Sequence, residues 1–287
     1  MSLALSILRQ YADVAPTERG GFRLARVARK LVPRRRWRGV FGDGRGNALD
    51  LDLATYPDVA MACGLYERDT DRLFEKLLRP GMHFVDGGAN LGYFTCRAAR
   101  RVGSTGRVDA FEPDPDNRQR LKGNLQRNGL ANVTVRPVAL SDQPETLTFH
   151  HPVDGDRNHG ETSRFDIAGV ETKSFDVEAV RADEVIQDVP DVVKLDLEGG
   201  ELAAVRGMTR WLSADRPPKV VLEHNPPADA RGGHRPGDVW RAFLEVSPGW
   251  TCSRVRSYAA GHLALLVSPE ELDRLDRQVN LLFQSSG

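Results

Sequence analysis

A glycine-rich run preceded by an aspartate is the part of this sequence whose residue types most clearly fit ligand binding. Residues 86–92 have the sequence DGGANLG and lie between segments that predict a strand and a helix. Glycines in such a loop let the backbone approach a ligand closely, and their spacing also fits the relaxed dinucleotide fingerprint. A carboxylate at position 86 opposes a pyrophosphate, however. It suits a ligand with an ammonium group and a sulfonium, such as S-adenosylmethionine.

Two further strand ends carry polar side chains that fit a nucleoside. Glu112 follows the second predicted strand and precedes Pro113. An acid at this position can accept hydrogen bonds from both ribose hydroxyls, since Asp114 is available to cap the next helix instead. Ser141 and Asp142 follow the third strand, where they can contact the adenine edge or form a plain turn.

The fourth predicted strand ends in charged residues that can act on an acceptor. Lys194, Asp196 and Glu198 alternate with leucines, so they share one side if the strand stays extended. We expect Asp196 or Glu198 to remove a proton from the acceptor, with Lys194 beside them. His224 is a second candidate base because imidazole titrates near neutral pH, although a structural hydrogen-bonding role is favoured for a histidine in such a loop.

The same carboxylates raise the question of a metal ion. Asp196, Glu198 and Glu223 can offer oxygen ligands to a hard divalent cation such as Mg²⁺. An ion-paired network around Lys194 explains the same residues. We favour the network, because a hard-ion site needs several convergent oxygens.

The elements that position these residues alternate between short apolar strands and longer helices from residue 82 onward, which predicts a mostly parallel sheet. Strands are predicted at residues 83–86, 108–111, 133–135, 192–195 and 220–222, and helices at residues 93–101, 115–128 and 202–212. Two further strands are predicted at residues 251–256 and 262–267. The connection between them is too short for a parallel crossover, which predicts an antiparallel hairpin. We expect a Rossmann-like α/β domain with a seven-stranded sheet and this C-terminal hairpin.

The chain divides on the same evidence into a small N-terminal cap, residues 1–75, and a main domain, residues 76–287. The cap contains an arginine-rich stretch, residues 23–38, in which a basic amphipathic helix is predicted up to Pro33, followed by a small hairpin around a glycine-rich turn. The helix can pack on the main domain or meet an anionic membrane surface or acidic partner. A polar insertion at residues 150–175 is expected over the strand ends, where it can form a lid or an acceptor-recognition element, or can be a mobile surface loop.

Composition limits the classes of function. The 287 residues include 40 basic and 40 acidic side chains, a balance that argues against a nucleic-acid binder. Three separated cysteines predict neither a disulfide framework nor a thiolate zinc site. No apolar run is long enough to cross a bilayer, and the first residues do not resemble a secretory signal, so we expect a cytoplasmic protein.

Five ordered motifs resemble the FkbM family of methyltransferases. They lie at residues 84–95, 111–115, 139–142, 193–201 and 220–223, and residues 64–67 resemble the family's segment before the core. The resemblance implies a class I methyltransferase fold, S-adenosylmethionine as cofactor, and O-methylation of sugars, polyketides or other secondary metabolites. It implies cofactor contacts by Tyr66, Glu67, Asp86, Gly88, Ala89, Asn90, Gly92, Thr95, Glu112, Pro113, Ser141, Asp142 and Asp196.

Three other functions fit parts of the pattern. An NAD-dependent oxidoreductase would share the fold, but Asp86 disfavours it. A nitrogen methyltransferase would need an amine-receiving loop, and Asn225-Pro226-Pro227 follows the wrong strand and lacks the aromatic residue for one. A non-catalytic module would bind the cofactor without turnover. We expect an enzyme with a small hydroxylated acceptor, and a homodimer is compatible with its size.

Overall fold

The computed structural model describes residues 30, 37–152, 165, 172–255 and 263–285, and an eight-stranded sheet lies at its centre. The strands are β1 (Arg38–Gly42), β2 (Ala48–Asp52), β3 (His83–Gly87), β4 (Arg107–Phe111), β5 (Val133–Arg136), β6 (Ala139–Leu140), β7 (Glu145–Pro152), β8 (Thr172–Val180), β9 (Val192–Leu195), β10 (Lys219–His224), β11 (Trp250–Val255), β12 (Leu263–Leu265) and β13 (Val279–Ser285). The order in the sheet is β12-β11-β13-β10-β9-β3-β4-β5. From β10 to β5 neighbouring strands run parallel, and from β10 to β12 they pair antiparallel.

Helices cover both faces of this sheet. They are α1 (Tyr56–Ala62), α2 (Arg68–Leu77), α3 (Tyr93–Val102), α4 (Pro115–Arg127), α5 (Ala182–Val185), α6 (Glu201–Arg206), α7 (Thr209–Leu212), α8 (Pro226–Arg231), α9 (Pro236–Val246) and α10 (Pro269–Asp273). Because successive strand side chains point to opposite faces, Phe84 packs in one apolar cluster with α3 and α4 while its neighbour Val85 packs in another with α6 and α9. The two clusters explain why the central strands read as continuous apolar runs.

The sheet has one strand more than predicted. Residues 251–255 and 263–265 do pair antiparallel, as expected, with Ser253 opposite Leu265. This hairpin does not lie beside β10, however, because β13 inserts between β10 and β11. Val279–Ser285 was missed as a strand, although its Leu281, Leu282 and Phe283 are buried.

The helix predicted at residues 202–212 is two short helices, α6 and α7. Gly207 separates them, and a Cβ on this residue would lie 1.9 Å from the Ser141 carbonyl oxygen. A residue without a side chain allows this close approach of two backbones at the break between the helices. By contrast, α4 begins as predicted, because Asp114 Oδ1 accepts hydrogen bonds from the backbone N–H groups of Asp116 and Asn117.

The N-terminal hairpin is confirmed and is attached to the main domain. β1 pairs antiparallel with β2, and the N–H groups of Ala48 and Asp50 donate to the side chains of Asn128 and Asn124, both at 2.8 Å. The boundary proposed after residue 75 falls inside α2, which spans Arg68–Leu77. The division into two domains stays a proposal. The predicted basic helix lies outside the described residues apart from Lys30.

A separate three-stranded sheet, in the order β6-β8-β7, flanks the polar insertion. The predicted lid begins in β7 and ends in β8, while residues 153–164 and 166–171 lie outside the described residues. Within the described ranges, no helix is long and apolar enough to cross a membrane.

Candidate active site

The glycine loop joins β3 to α3 at the carboxyl ends of the parallel strands. Gly88 and Gly92 have φ values of +79° and +92°, and the N–H groups of Gly88 and Ala89 both donate to the Phe111 carbonyl at 3.0 Å. A Cβ on Gly88 would lie 1.9 Å from the backbone oxygen of Asp196. The loop therefore needs glycine for a close approach to the protein's own backbone, a reason that sequence alone does not give.

The close contact between Gly88 and the Asp196 backbone predicts that a side chain at position 88 destabilises the fold. We expect Gly88→Ala to lower the free energy of unfolding by roughly 3 kcal/mol, since overpacking and positive-φ strain each cost about 1–3 kcal/mol. Gly129 is the control, because it has φ +65° and no heavy atom within 4 Å of the same Cβ position. Gly129→Ala should lose only about 1 kcal/mol. Equal losses in urea unfolding of the two variants would contradict the close approach.

Asp86 is buried at the end of β3 with an unsatisfied oxygen. Its Oδ2 accepts a hydrogen bond from Thr95 Oγ1 at 2.6 Å, while Oδ1 has no hydrogen-bond partner among the described residues. Burial raises the pKa of Asp86, and the nearby Lys194 opposes that rise. A buried acceptor without a partner is costly, so Oδ1 is suited to a cationic donor from a ligand.

Glu112 is buried at the end of β4 and is held by the backbone. One carboxylate oxygen accepts from the N–H of Asn90 at 2.6 Å and the other from the N–H of Asp114 at 2.9 Å. Each oxygen retains a second lone pair for a further donor. Burial raises the pKa of Glu112 to about 7. The geometry fits a pair of vicinal hydroxyls, and Asn90 joins this acid to the glycine loop.

The two polar residues after β6, Ser141 and Asp142, have partners within the protein. Ser141 is buried, and its hydroxyl hydrogen-bonds the Glu145 carboxylate. The carbonyl oxygen of the half-buried Asp142 accepts from Arg181 at 2.9 Å. The backbone N–H of Ser141 donates to the Val180 carbonyl at 2.9 Å, so this residue is also held through its main chain. Pro113, directly after Glu112, is half-buried.

Three carboxylates meet beside the glycine loop and form what we call the acidic cluster, Glu67, Asp196 and Glu223. One oxygen of each lies within 4.8 Å of the others. Lys194 Nζ lies 2.9 Å from Asp196 Oδ2 and 5.0 Å from the ring centre of Phe94. The cluster can therefore offer oxygen ligands to a divalent cation, with Asp196 already paired to a lysine.

Glu198, a predicted base and metal ligand, does not belong to this cluster. β9 ends at Leu195, and Glu198 adopts a left-handed backbone conformation with φ +50°. The alternation that would have aligned Glu198 with Asp196 is therefore broken. Its side chain instead accepts a hydrogen bond from Asn225 Nδ2 at 3.2 Å. The third carboxylate of the acidic cluster is instead Glu67, which directly precedes α2.

Electrostatics within the cluster are set by burial and by crowding of like charges. Burial raises the pKa of Glu67 to about 7, and burial together with Asp196 and Glu67 raises the pKa of Glu223 well above its usual value. Burial alone would lower the pKa of Lys194, but Asp196 and the neighbouring acids raise it overall. The group therefore tends to hold protons on the two glutamates while the lysine stays charged.

Two amides on or before the last strand complete the cluster and were missed in the sequence. Gln278 Nε2 donates to Glu223 at 2.6 Å, and Asn280 Nδ2 donates to Glu67 at 3.1 Å. Asn280 is opposite Glu223 in the register of β13 against β10. The available signal was the apolar run of β13, which indicates a strand but not the strands with which it pairs.

Backbone strain is concentrated at this site. Among the described residues, the non-glycine residues with positive φ are Glu67, Asn90 and Glu198. All three contribute to the glycine loop, to the acidic cluster or to the loop after β9. Such conformations persist only where the surrounding structure enforces them, and they occur most often at functional sites.

His224 is placed elsewhere. It is buried, and its Nδ1 lies 3.1 Å from Asp229 Oδ2 while Nε2 lies 3.2 Å from the Leu275 carbonyl oxygen. Adjacent residues of a strand point to opposite faces, so His224 points away from its neighbour Glu223. Its ring nitrogens serve the structural role that the sequence also allowed.

Comparison with known proteins places the chain in a family. Residues 86–254, more than half of the chain, match the family described as "Methyltransferase FkbM domain". The chain belongs to this family. The predicted resemblance and the class I methyltransferase fold are therefore confirmed, with eight strands instead of seven.

The matches between this chain and similar proteins cover only part of the length of those proteins. Hexuronic acid methyltransferase AglP of Haloferax volcanii is 32% identical over 155 residues, which cover 52% of this chain and 59% of that protein. Ribosomal protein L11 methyltransferase of Pelotomaculum thermopropionicum is 33% identical over 112 residues, or 38% of this chain and 34% of that protein. The crystal structure of an FkbM methyltransferase from Methylobacillus flagellatus KT is 19% identical, with a TM-score of 0.45, and the match covers 78% of this chain and 52% of that one.

Proposed function

We propose that this FkbM-family protein transfers a methyl group from S-adenosylmethionine to a hydroxyl group of a small-molecule acceptor. The main support is the contact between the candidate base and the candidate cofactor loop. Asp196 N donates to the Gly87 carbonyl at 3.1 Å, and the Asp196 carbonyl packs on Gly88. Methyl transfer needs the acceptor oxygen held against the methyl group, so a base adjacent to this loop is well placed.

The residues fit S-adenosylmethionine, which supplies a methyl group on a positively charged sulfur. Asp86 Oδ1, buried and without a partner among the described residues, would accept from the ammonium group. Glu112 would accept from the ribose hydroxyls, since both of its oxygens are fixed by backbone N–H groups. We propose that Thr95 acts indirectly, because its hydroxyl holds the other oxygen of Asp86.

Asp196 is the proposed general base. Lys194 fixes one of its oxygens in an ion pair and leaves the other to accept the proton of the acceptor hydroxyl. The raised pKa values of Glu67 and Glu223 mean that these acids can remain protonated and donate hydrogen bonds to the acceptor. We propose Asp196 ahead of Glu198, because the backbone of Asp196 contacts the glycine loop, whereas the Glu198 side chain accepts a hydrogen bond from Asn225.

A sugar is the proposed acceptor. The relative AglP is named as a hexuronic acid methyltransferase. The acidic cluster together with the amides of Gln278 and Asn280 supplies both hydrogen-bond donors and acceptors, which suits a hydroxyl-rich molecule better than an apolar one. An amine acceptor is less well supported, because Asn225 donates to Glu198 and α8 begins at the next residue.

The test is a turnover assay with S-adenosylmethionine and three acceptor classes: uronic-acid oligosaccharides, hydroxylated polyketides and a lysine-rich peptide. We expect S-adenosylhomocysteine to form with the first class and the sugar to gain one methyl group, located on oxygen by mass spectrometry. Activity should persist in EDTA, because Lys194 already neutralises Asp196. Methylation of the peptide alone would overturn the proposed acceptor, and a strict requirement for Mg²⁺ would assign the acidic cluster to a metal.

A further inference from the structure

A cavity of about 550 Å³ lies between α2, α3 and the turn after β1, along the side of α3. Six cationic side chains line it: Arg45, Lys76, Arg79, Arg97, Arg100 and Arg101. The carboxylates in the same lining are Asp71 and Glu75. Because the whole chain has no net charge, this surplus of four positive charges is a local feature. We call it the basic cavity.

Part of this charge is neutralised inside the protein. Arg97 forms an ion pair with Asp71 and another with Asp43 at 3.2 Å, and Arg45 lies 3.7 Å from Glu75. These pairs account for both carboxylates of the lining. They also anchor α3 to α2 and to the turn of the N-terminal hairpin.

Three arginines at the outer end of the cavity have no carboxylate partner among the described residues. Arg79 donates to the Leu78 carbonyl at 2.8 Å, and Arg100 donates to the side-chain oxygen of Asn47 at 3.0 Å. Arg101 donates to the carbonyl of Glu75. These acceptors are neutral oxygens, so the three guanidinium charges remain available to an anion. All three residues are exposed.

The inner wall of the same cavity is apolar. Phe74, Leu78 and Phe94 line it and are buried in the core cluster beneath. The ring centre of Phe94 also lies 5.0 Å from Lys194 Nζ, so this wall separates the cavity from the acidic cluster. Arginines on one side and an apolar wall on the other suit a ligand with an anionic group and an organic group.

We propose that the basic cavity binds a small molecule in which a diphosphate is joined to an organic group. Guanidinium groups bind phosphate oxygens through paired hydrogen bonds, and three unpaired arginines match the several charges of a diphosphate. The organic group would contact Phe74, Leu78 and Phe94. The organic part can be a nucleoside or an isoprenoid chain, which share the diphosphate.

Isothermal titration with inorganic pyrophosphate, uridine diphosphate and geranyl diphosphate tests this proposal. S-adenosylhomocysteine is kept in excess, so that the proposed cofactor pocket does not contribute. The Arg100→Glu/Arg101→Glu variant should bind each diphosphate at least about tenfold more weakly, because a charge-assisted hydrogen bond contributes about 1.5–3 kcal/mol. Arg127→Glu is the matched control, since Arg127 is exposed and its acceptors among the described residues are also neutral oxygens, of Gly123 and Asn124. It should bind within about twofold of wild type.

The titrations with uridine diphosphate and geranyl diphosphate show which organic group the cavity prefers. Tighter binding of uridine diphosphate than of pyrophosphate would assign a nucleoside diphosphate, and tighter binding of geranyl diphosphate would assign an isoprenoid. Circular dichroism and thermal melting show whether the variants fold. Absence of binding by wild type, equal binding by folded wild type and double variant, or equal affinity for all three diphosphates would each overturn the proposal. None of these outcomes depends on methyl transfer.

Discussion

The Asp196→Asn variant is expected to turn over roughly 10²–10⁴-fold more slowly than wild type, the contribution typical of a general base. The amide is nearly isosteric with the carboxylate and can still accept a hydrogen bond from Lys194, which lies 2.9 Å from Asp196 Oδ2. It cannot take the proton of the acceptor hydroxyl. The loss should therefore appear in kcat, measured by release of S-adenosylhomocysteine with saturating acceptor.

The control for this variant is Asp176→Asn. Asp176 is an exposed residue of β8 that accepts a hydrogen bond from Thr148 at 2.9 Å, so the variant loses a carboxylate on the separate three-stranded sheet. Its kcat should match that of wild type. Cofactor affinity of Asp196→Asn should also stay near that of wild type, because the contact with the glycine loop uses the backbone of Asp196. A folded Asp196→Asn variant with normal kcat would remove Asp196 from the mechanism.

Replacing Glu112 with glutamine is expected to weaken S-adenosylhomocysteine binding by about 10–100-fold. Hydrogen bonds to a charged acceptor contribute about 1.5–3 kcal/mol, and the amide would lose that charge. In addition, the N–H groups of Asn90 and Asp114 both point at the carboxylate, so an amide nitrogen would face a donor. Titration calorimetry measures the change, and Glu178→Gln on the exposed face of β8 is the control.

The same residue predicts a pH dependence. Because burial raises the pKa of Glu112 to about 7, protons compete with the ribose hydroxyls as the pH falls through that value. Wild-type affinity should therefore decline from about pH 8 to about pH 6, whereas Glu112→Gln should show a flatter profile. Parallel profiles for the two proteins would show that Glu112 does not contact the cofactor.

The strand ends that carry Asp86 and Glu112 could be predicted because each follows a local apolar run. The central strands are buried on both faces, so their sequence alone identifies them, and a short polar residue after each run marks the ligand edge of a parallel sheet. β13 could not be placed in the same way. Its pairing with β10 and β11 is antiparallel and distant in sequence, so no local pattern specifies its position.

The acidic cluster was harder to predict from the sequence than the strands were. Asp196 and Glu223 follow recognised strands, but Glu67 reaches them from a turn before α2 whose left-handed conformation, φ +36°, is stabilised only by the folded surroundings. The alignment of Glu198 with Asp196 required an extended strand, and β9 ends at Leu195, so the period of two does not reach Glu198. Tertiary contacts, and not residue types, therefore decide which carboxylates meet.

Calorimetric titration of the wild-type protein with S-adenosylmethionine tests the central claim most directly, with NAD titrated in parallel. We expect a single site with a Kd of about 1–100 μM, in the range of common substrate affinities, and no heat with NAD. We expect the binding to weaken in Asp86→Ala, since Asp86 Oδ1 is the buried acceptor assigned to the ammonium group. Binding of NAD, or no binding of S-adenosylmethionine by folded protein, would contradict the proposed methyl transfer.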